Sequence, residues 1–170
     1  MCGGVFYRGF VGACVGAPSV PGPFELDRRL FRLRFRMCFG STRESIPMAI
    51  DQVMRIAAAC GCEDSHADDM EIALSEAIAN AVLHGNASDS EKSVVLRCYG
   101  SPGKAMIVIV RDEGAGFDPG DVPDPREPRL RERPRGRGLF LMRQMMDAVL
   151  YRKGGREVVL YKACPIPPAS

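Results

Sequence analysis

The sequence has no tryptophan, two histidines, and no apolar run of the roughly 18 residues that a membrane-spanning helix needs. We therefore expect no membrane contact and a cytoplasmic protein. An excess of one charge is also missing, because 23 basic residues face 21 acidic residues and leave a net charge of +2. That balance gives no reason to expect direct nucleic-acid binding. The remaining composition, 46% apolar and 26% charged over 170 residues, suits one globular domain with its own core.

Two common phosphate-handling signatures are absent. The chain has neither a GxxxxGK[ST] loop nor the HRD and DFG motifs of protein kinases, so any phosphoryl transfer must rest on another site. Zinc-binding spacing is absent too, because Cys60 and Cys62 have one residue between them and no second pair completes a site. We interpret the seven cysteines as reduced thiols in small core or surface positions, without a disulfide or a metal.

The clearest helix signal is EIALSEAIANAVLHG at residues 71–85, which is rich in alanine, leucine, isoleucine and glutamate. Glu76 and Asn80 are four residues apart, so on a single predicted helix they lie on one face, one turn apart. Such a pair in an otherwise apolar helix is either hydrogen-bonded and solvent-facing or part of a site. His84, one turn further, is interpreted as a core or rim group rather than a catalyst.

A second cluster of polar and small residues, DEGAGF at residues 112–117, follows an apolar strand-like run. Taken alone, this cluster indicates an ordinary acidic turn. At the end of a strand, however, Asp112 can accept a hydrogen bond from the exocyclic amine of adenine. Gly114 and Gly116 have no side chains to block the approach of a flat purine.

A third cluster, GRGLFLM at residues 136–142, opens a short predicted helix with glycines. Glycines at a helix start let backbone amides and the positive end of the helix dipole approach a phosphate. The preceding residues 117–137 contain five prolines and six arginines, which predicts a loop acting as a lid over a site. Each arginine taken alone is more typical of a solvated side chain, and those nearest the glycines are the candidate phosphate ligands: Arg133, Arg135 and Arg137.

Taken in order, the three clusters resemble the N, G1 and G2 boxes of the GHKL ATPase superfamily: Glu76-x-x-x-Asn80, Asp112-x-Gly114-x-Gly116 and Gly136-x-Gly138. Within it, SEAIANAVLHG and GRGLFLMRQMMD are similar to the anti-sigma-factor serine/threonine kinases of bacterial partner-switching systems, and the resemblance covers residues 30–162. It implies ATP and Mg²⁺ as cofactors, with Asn80 as magnesium ligand, Glu76 as general base and Asp112 on the adenine amine. It assigns the rest of the nucleotide contact to Gly114, Gly116, Gly136, Gly138 and Leu139.

The same resemblance implies a protein substrate, a STAS-type anti-sigma antagonist, and a sigma factor as second partner. It leaves open a homodimer whose contact includes the first strand. Two alternatives to the kinase remain: a non-catalytic ATP-gated protein-binding module, and a free-standing histidine-kinase-type ATPase domain. Neither histidine of the chain lies on a long heptad-bearing helix, which weakens a complete histidine kinase.

The order of predicted elements, strand, helix, helix, two strands, helix, two strands, argues against a doubly wound parallel sheet. We predict a two-layer α/β (α+β) sandwich with a mixed, mainly antiparallel sheet and helices on one face. Residues 1–28 form a Gly/Pro-rich lead, 29–163 the ATP-binding domain with its lid at about 117–137, and 164–170 a tail. Alternation of apolar residues with arginine predicts the first strand at 29–39. Ser41 and Glu44 predict a capping box, and GSPG and KGG turns predict two hairpins.

Overall fold

A computed structural model describes residues 31–62, 67–118 and 137–164. They form β1 (Arg32–Gly40), α1 (Ser45–Ala59), α2 (Ala67–Ala79), a π-helical turn (Asn80–Gly85), β2 (Ser93–Ser101), β3 (Ala105–Arg111), α3 (Arg137–Met145), β4 (Ala148–Arg152) and β5 (Glu157–Ala163). The predicted lead, most of the predicted lid and residues 165–170 of the tail lie outside the described residues. No helix in the described ranges is long and apolar enough to cross a membrane.

The strands form one sheet in the order β1-β2-β3-β5-β4. Neighbouring strands pair antiparallel, including the two hairpins that the turn signals predict. β3 is central, and its side chains are buried on both faces of the sheet. The predicted two-layer, mainly antiparallel architecture is confirmed, and among the described strands no parallel pair occurs.

The helices cover one face of this sheet. All three helices share an apolar cluster with the strand residues that face them, and its largest fully buried members include Leu74, Ile78, Leu96, Met106 and Leu160. Burying a side chain of this size stabilises the fold by about 1.5–3 kcal/mol relative to leaving it exposed. A smaller cluster of strand residues lies on the opposite face, with Ile107, Ile109 and Val159 at its centre.

β1 contains an irregularity that changes which side chains face the helices. Its register with β2 shifts between Leu33 and Phe35, so one residue is extra on the β1 side. Phe31 therefore packs on the open face of the sheet, while Phe35 packs on the helix-side core. Strict alternation would place both rings on one face. The arginines predicted for the wet side of this strand are exposed: Arg32, Arg34 and Arg36.

The predicted capping box of α1 is wrong. α1 begins at Ser45, with Glu44 in the N-cap position and no side-chain capping hydrogen bond. Ser41 is fully buried instead, and its hydroxyl donates to the carbonyl of Val82 at 3.3 Å, in the turn after α2. This tertiary contact takes the hydroxyl away from the first turn of α1, where the local pattern places it.

The interpretation of all cysteines as reduced thiols is also wrong. Cys62, just past α1, and Cys164, just past β5, form a disulfide with a Cα–Cα distance of 4.8 Å. They are 102 residues apart in sequence, so no local spacing reveals the pair. The β2–β3 turn lies between the end of α1 and the end of β5 and hydrogen-bonds to both, which brings the two cysteines together. Cys60 and Cys98 are buried free thiols and Cys38 is an exposed one.

Candidate active site

The first predicted site residues lie at the end of α2. Glu76 is in the last turns of α2 and Asn80 begins the π-helical turn, and both side chains are partly buried. Asp68 and Asp69 in the first turn suit the positive end of the α2 dipole. His84 is exposed, so it occupies the rim rather than the core. The inward face of α2 is apolar and anchors the helix through Met70, Ala73, Leu74, Ala77 and Ile78.

The helix is not α-helical through residue 85, which corrects the prediction of one uniform helix. In Asn80–Gly85 the turn is wider, and the Asn86 amide donates to the Ala81 carbonyl, five residues back, at 2.9 Å. An α-helix would pair that amide with the Val82 carbonyl. This carbonyl accepts instead from the Ser88 amide at 2.8 Å and from the Ser41 hydroxyl, 41 residues earlier in the chain, at 3.3 Å. The Ser41 contact comes from a distant segment, so the local sequence pattern does not indicate it.

β3 delivers Asp112 to this end of the helix. Its amide donates to the Arg156 carbonyl at 3.0 Å, and its Oδ1 accepts from the Gly114 amide at 2.8 Å. Only 9% of Asp112 is exposed. Burial raises the pKa of its carboxyl above the ordinary value, while the Gly114 amide, the amide of Asp112 itself and the nearby arginines oppose that rise. Asp112 is therefore a nearly buried acceptor whose Oδ2 accepts no hydrogen bond within the described residues.

Glycines make the contact between the loop and the helix end possible. A Cβ added to Gly85 would lie 2.5 Å from Cγ of Asp112. A Cβ added to Gly114 would overlap the carbonyl oxygen of Gly85 and lie 2.9 Å from Oδ1 of Asp112. A side chain at either position would push the loop away from the helix. Gly114 therefore permits a close backbone approach to Gly85.

The β4–β5 turn supports the same loop from the other side, and the sequence pattern does not indicate this contact. The Phe117 amide donates to the Gly154 carbonyl at 2.9 Å. Gly116 and Gly155 have φ values of +80° and +82°, and a Cβ at either would overlap the backbone of the facing segment. Gly116, predicted to leave room for a purine, thus also lets the loop pack on the turn. The one sequence signal is the paired glycines of that turn, which alone indicate only a turn.

An aromatic contact closes this end of the loop. The rings of Phe117 and Tyr151 meet edge to face, with centroids 5.3 Å apart, and Phe117 remains 38% exposed. The Tyr151 hydroxyl is buried and has no hydrogen-bond partner among the described residues, and burial raises its pKa. An unpaired buried hydroxyl costs about 1–3 kcal/mol, which a bound water or ligand would offset.

α3 meets the end of α2 through Gly138. A Cβ added there would overlap Oε2 of Glu76 and lie 3.3 Å from Nδ2 of Asn80. Arg137 is exposed, and Leu139 is partly buried against the core. The structure thus brings Glu76, Asn80 and Gly138 into one small space. Three of the candidate residues lie outside the described ranges: Arg133, Arg135 and Gly136.

Lys162 of β5 holds α3 against α2, a role that no motif indicates. Its Nζ donates to the carbonyl of Met145, the last residue of α3, at 2.7 Å and lies 3.8 Å from Oδ2 of Asp69 in α2. A cation favours the C-terminal end of a helix, and here it is almost fully buried. The available sequence signal is alternation along β5, which puts Lys162 on the same face as the buried Val158 and Leu160.

The oxygens at this site fit a magnesium ion that also binds water and phosphate oxygens, rather than a metal ion held by protein ligands alone. Among the residues that the structure describes, no group of three or more His, Cys, Asp and Glu side chains could hold a metal ion. Mg²⁺ in nucleotide sites takes one or two protein oxygens and completes its shell with water and phosphate oxygens. The carboxamide of Asn80 beside the carboxylate of Glu76 is a donor set of that kind.

Comparison with known proteins matches this chain to one ATPase domain family and to several bacterial kinases and anti-sigma factors. A family profile described as the histidine kinase-like ATPase domain matches residues 39–162. Serine-protein kinase RsbW of Staphylococcus epidermidis is 31% identical over 104 residues, covering 56% of this chain and 64% of that protein. RsbW of Bacillus licheniformis is 34% identical over 102 residues, covering 55% and 62%. The anti-sigma F factor of Clostridium acetobutylicum is 31% identical over 86 residues, covering 48% and 57%. Each match therefore spans less than two thirds of the relative's length.

Proposed function

The chain belongs to the histidine kinase-like ATPase domain family, and we propose that it is an ATP- and Mg²⁺-dependent serine/threonine protein kinase that also acts as an anti-sigma factor. Its proposed substrate is a STAS-type anti-sigma antagonist and its second partner a sigma factor. Relatives named serine-protein kinase and anti-sigma F factor support this proposal. The observation that carries it is the close approach of Gly138 to both Glu76 and Asn80.

That approach joins two parts of the chain that phosphoryl transfer requires in one place. The first turn of α3 offers backbone amides and the positive end of a helix dipole to a phosphate. Because Gly138 carries no side chain, the first turn of α3 lies directly against the Glu76 carboxylate. Asn80 is the proposed ligand of Mg²⁺, which when bound would offset negative charge on the phosphate oxygens.

Glu76 is the proposed general base. Its carboxylate takes the proton from a substrate serine or threonine hydroxyl while that oxygen bonds to the γ-phosphorus of ATP and ADP leaves. Asp112 binds the other end of the nucleotide, where its carboxylate accepts a hydrogen bond from the adenine amine. α2 carries the backbone of Glu76, and the glycine-lined loop holds the Asp112 carboxylate close to Gly85.

The proposal is tested with calorimetry of Mg-ATP binding and with a transfer assay on STAS-domain proteins from the same genome. We expect Asn80→Ala to abolish Mg-dependent binding. Glu76→Ala should leave binding largely intact and stop transfer, because only the base is removed. Glu71→Ala is the matched control, since Glu71 is an exposed carboxylate on the same helix and should behave as wild type.

Other results of these assays would favour a different role for Glu76 or a different function for the chain. Retained transfer in Glu76→Ala removes Glu76 as the base. Binding of Mg-ATP without transfer to any acceptor favours an ATP-gated binding module, and transfer to a histidine favours a histidine-kinase-type domain. An absence of ATP binding by the wild-type chain refutes the proposal.

A further inference from the structure

Asn86 is a fully buried polar residue directly after the π-helical turn, where the sequence indicates no more than a turn. Its Nδ2 donates to the Ser93 carbonyl at 2.9 Å, and its Oδ1 accepts from the Glu113 amide at 2.8 Å. One partner is an acceptor and the other a donor, so together they define the orientation of the carboxamide. The side chain therefore links the end of the π-helical turn to the start of β2 and to the loop after β3.

The loop around Asp112 depends on this link. Three successive amides donate to three different partners: Asp112 to the Arg156 carbonyl at 3.0 Å, Glu113 to Oδ1 of Asn86 at 2.8 Å, and Gly114 to Oδ1 of Asp112 at 2.8 Å. The first partner is backbone and the third belongs to the loop itself. Within the described residues, Asn86 is thus the one side chain from another segment that holds these amides.

A second bond reinforces the link. The Glu113 carboxylate accepts from the Ser93 amide at 2.9 Å, so Asn86, Ser93 and Glu113 form a closed ring of three hydrogen bonds. The neighbouring Gly85 lies directly against the Asp112 carboxylate. The same short segment therefore touches the carboxylate through Gly85 and holds its peptide through Asn86.

We propose that Asn86 is a positioning residue that sets base specificity, because it fixes the direction in which the free oxygen of Asp112 points. This inference rests on the proposed function, in which Asp112 accepts from the adenine amine. A purine with a carbonyl in place of that amine presents an acceptor, which a fixed carboxylate rejects. A carboxylate free to turn away rejects it less. Asn86 therefore acts on the choice of base, while the phosphates are bound at α3.

The test is calorimetry of the full chain with Mg-ATP and with Mg-inosine triphosphate, which has a carbonyl where ATP has the amine. The readout is the ratio of the two dissociation constants. In Asn86→Ala we expect the preference for ATP to fall roughly 10-fold or more, since a charged hydrogen bond loses its geometry. Asn86→Asp keeps an oxygen for the Glu113 amide but sets its second oxygen against the Ser93 carbonyl in a fully buried site, so it should lose stability and part of the preference.

Ser41→Ala is the control for lost stability. Ser41 is equally buried and bonds the same π-helical turn, at the Val82 carbonyl, but among the described residues it makes no hydrogen bond to the Asp112 loop. It should lower the melting temperature and leave the ratio unchanged. If Asn86→Ala does not fold, Glu113→Pro removes the same hydrogen bond from its donor side, with Glu113→Ala as the variant that keeps the amide.

The outcomes separate this inference from the function on which it rests. A folded Asn86→Ala with the wild-type ratio, or a Ser41→Ala that loses the preference equally, overturns the role of Asn86. A wild-type chain that binds neither nucleotide overturns the proposed function. Wild-type binding without preference for ATP removes the adenine contact of Asp112, and the inference with it.

Discussion

Replacing Gly138 by alanine should displace the carboxylate of the proposed base, Glu76, while leaving the stability of the fold nearly unchanged. The added Cβ would overlap Oε2 of Glu76, which must move by about 0.6 Å to restore even a 3.0 Å separation. The obstacle is the far end of a flexible side chain, so the carboxylate can move while the backbone stays. Alanine also favours a helix over glycine by about 0.5–1 kcal/mol. We therefore expect a melting temperature within about 4 °C of wild type.

Activity should respond much more strongly. A 1 Å misplacement of a catalytic group can cost roughly 10²-fold in rate, and the shift here is about 0.6 Å. We therefore expect phosphate transfer by Gly138→Ala to fall by roughly 10-fold or more, with folding intact by circular dichroism. The assay is single-turnover transfer from Mg-ATP to the protein acceptor, so that product release does not mask the chemical step.

Two other glycines serve as comparators for this prediction. Gly114→Ala places its Cβ on the backbone carbonyl of Gly85, which cannot turn aside, so it should lose about 1–3 kcal/mol of stability. Gly40→Ala meets nothing closer than 4.0 Å and should resemble wild type in both assays. Full transfer activity in a folded Gly138→Ala would refute the reasoning, as would unfolding of that variant to the extent seen with Gly114→Ala.

Two further predictions follow from burial. Burial raises the pKa of Asp112 above the roughly 3.9 of an exposed aspartate, so ATP affinity should weaken as the pH falls toward that raised value. Protonation also relieves the penalty of burying the charged carboxylate. The stability of wild type relative to Asp112→Asn should therefore rise as the pH falls. Affinity that stays flat down to about pH 4 contradicts this. Burial also raises the pKa of Cys98 to about 12 and raises that of Cys60. Peptide mapping after alkylation should find exposed Cys38 modified in the folded protein and both buried thiols modified only after denaturation; rapid labelling of Cys98 would count against its burial.

The parts of the fold that the sequence predicts are those that depend on neighbours along the chain. The hairpin of β2 and β3 follows from two β-rich runs around a Gly-Ser-Pro-Gly turn, and it pairs as expected. Glu76 and Asn80 are four residues apart, and a helical segment keeps them close whatever surrounds it. The contact of Gly138 with this pair was predictable only through the resemblance, because no local rule joins residues so far apart.

The parts that the sequence does not predict arise from contacts between distant segments. The wider turn after α2 is contacted by Ser41, whose hydroxyl donates to the Val82 carbonyl from 41 residues away. Lys162 can be buried because the end of α3 lies beside it and the Met145 carbonyl accepts a hydrogen bond from its Nζ. The disulfide of Cys62 and Cys164 depends on the end of α1 and the end of β5 meeting at the β2–β3 turn. Sequence periodicity indicates which face of its own helix or strand a residue occupies. It does not indicate which residues of other elements pack against that face.

That disulfide makes the site part of a covalent ring. The chain from Cys62 to Cys164 is closed on itself, and Glu76, Asp112 and Gly138 all lie inside it. A protease that cuts one peptide bond between the two cysteines therefore opens the ring without releasing a fragment. The nicked protein would migrate as two pieces only after reduction, and until then both halves of the site would remain tethered to each other.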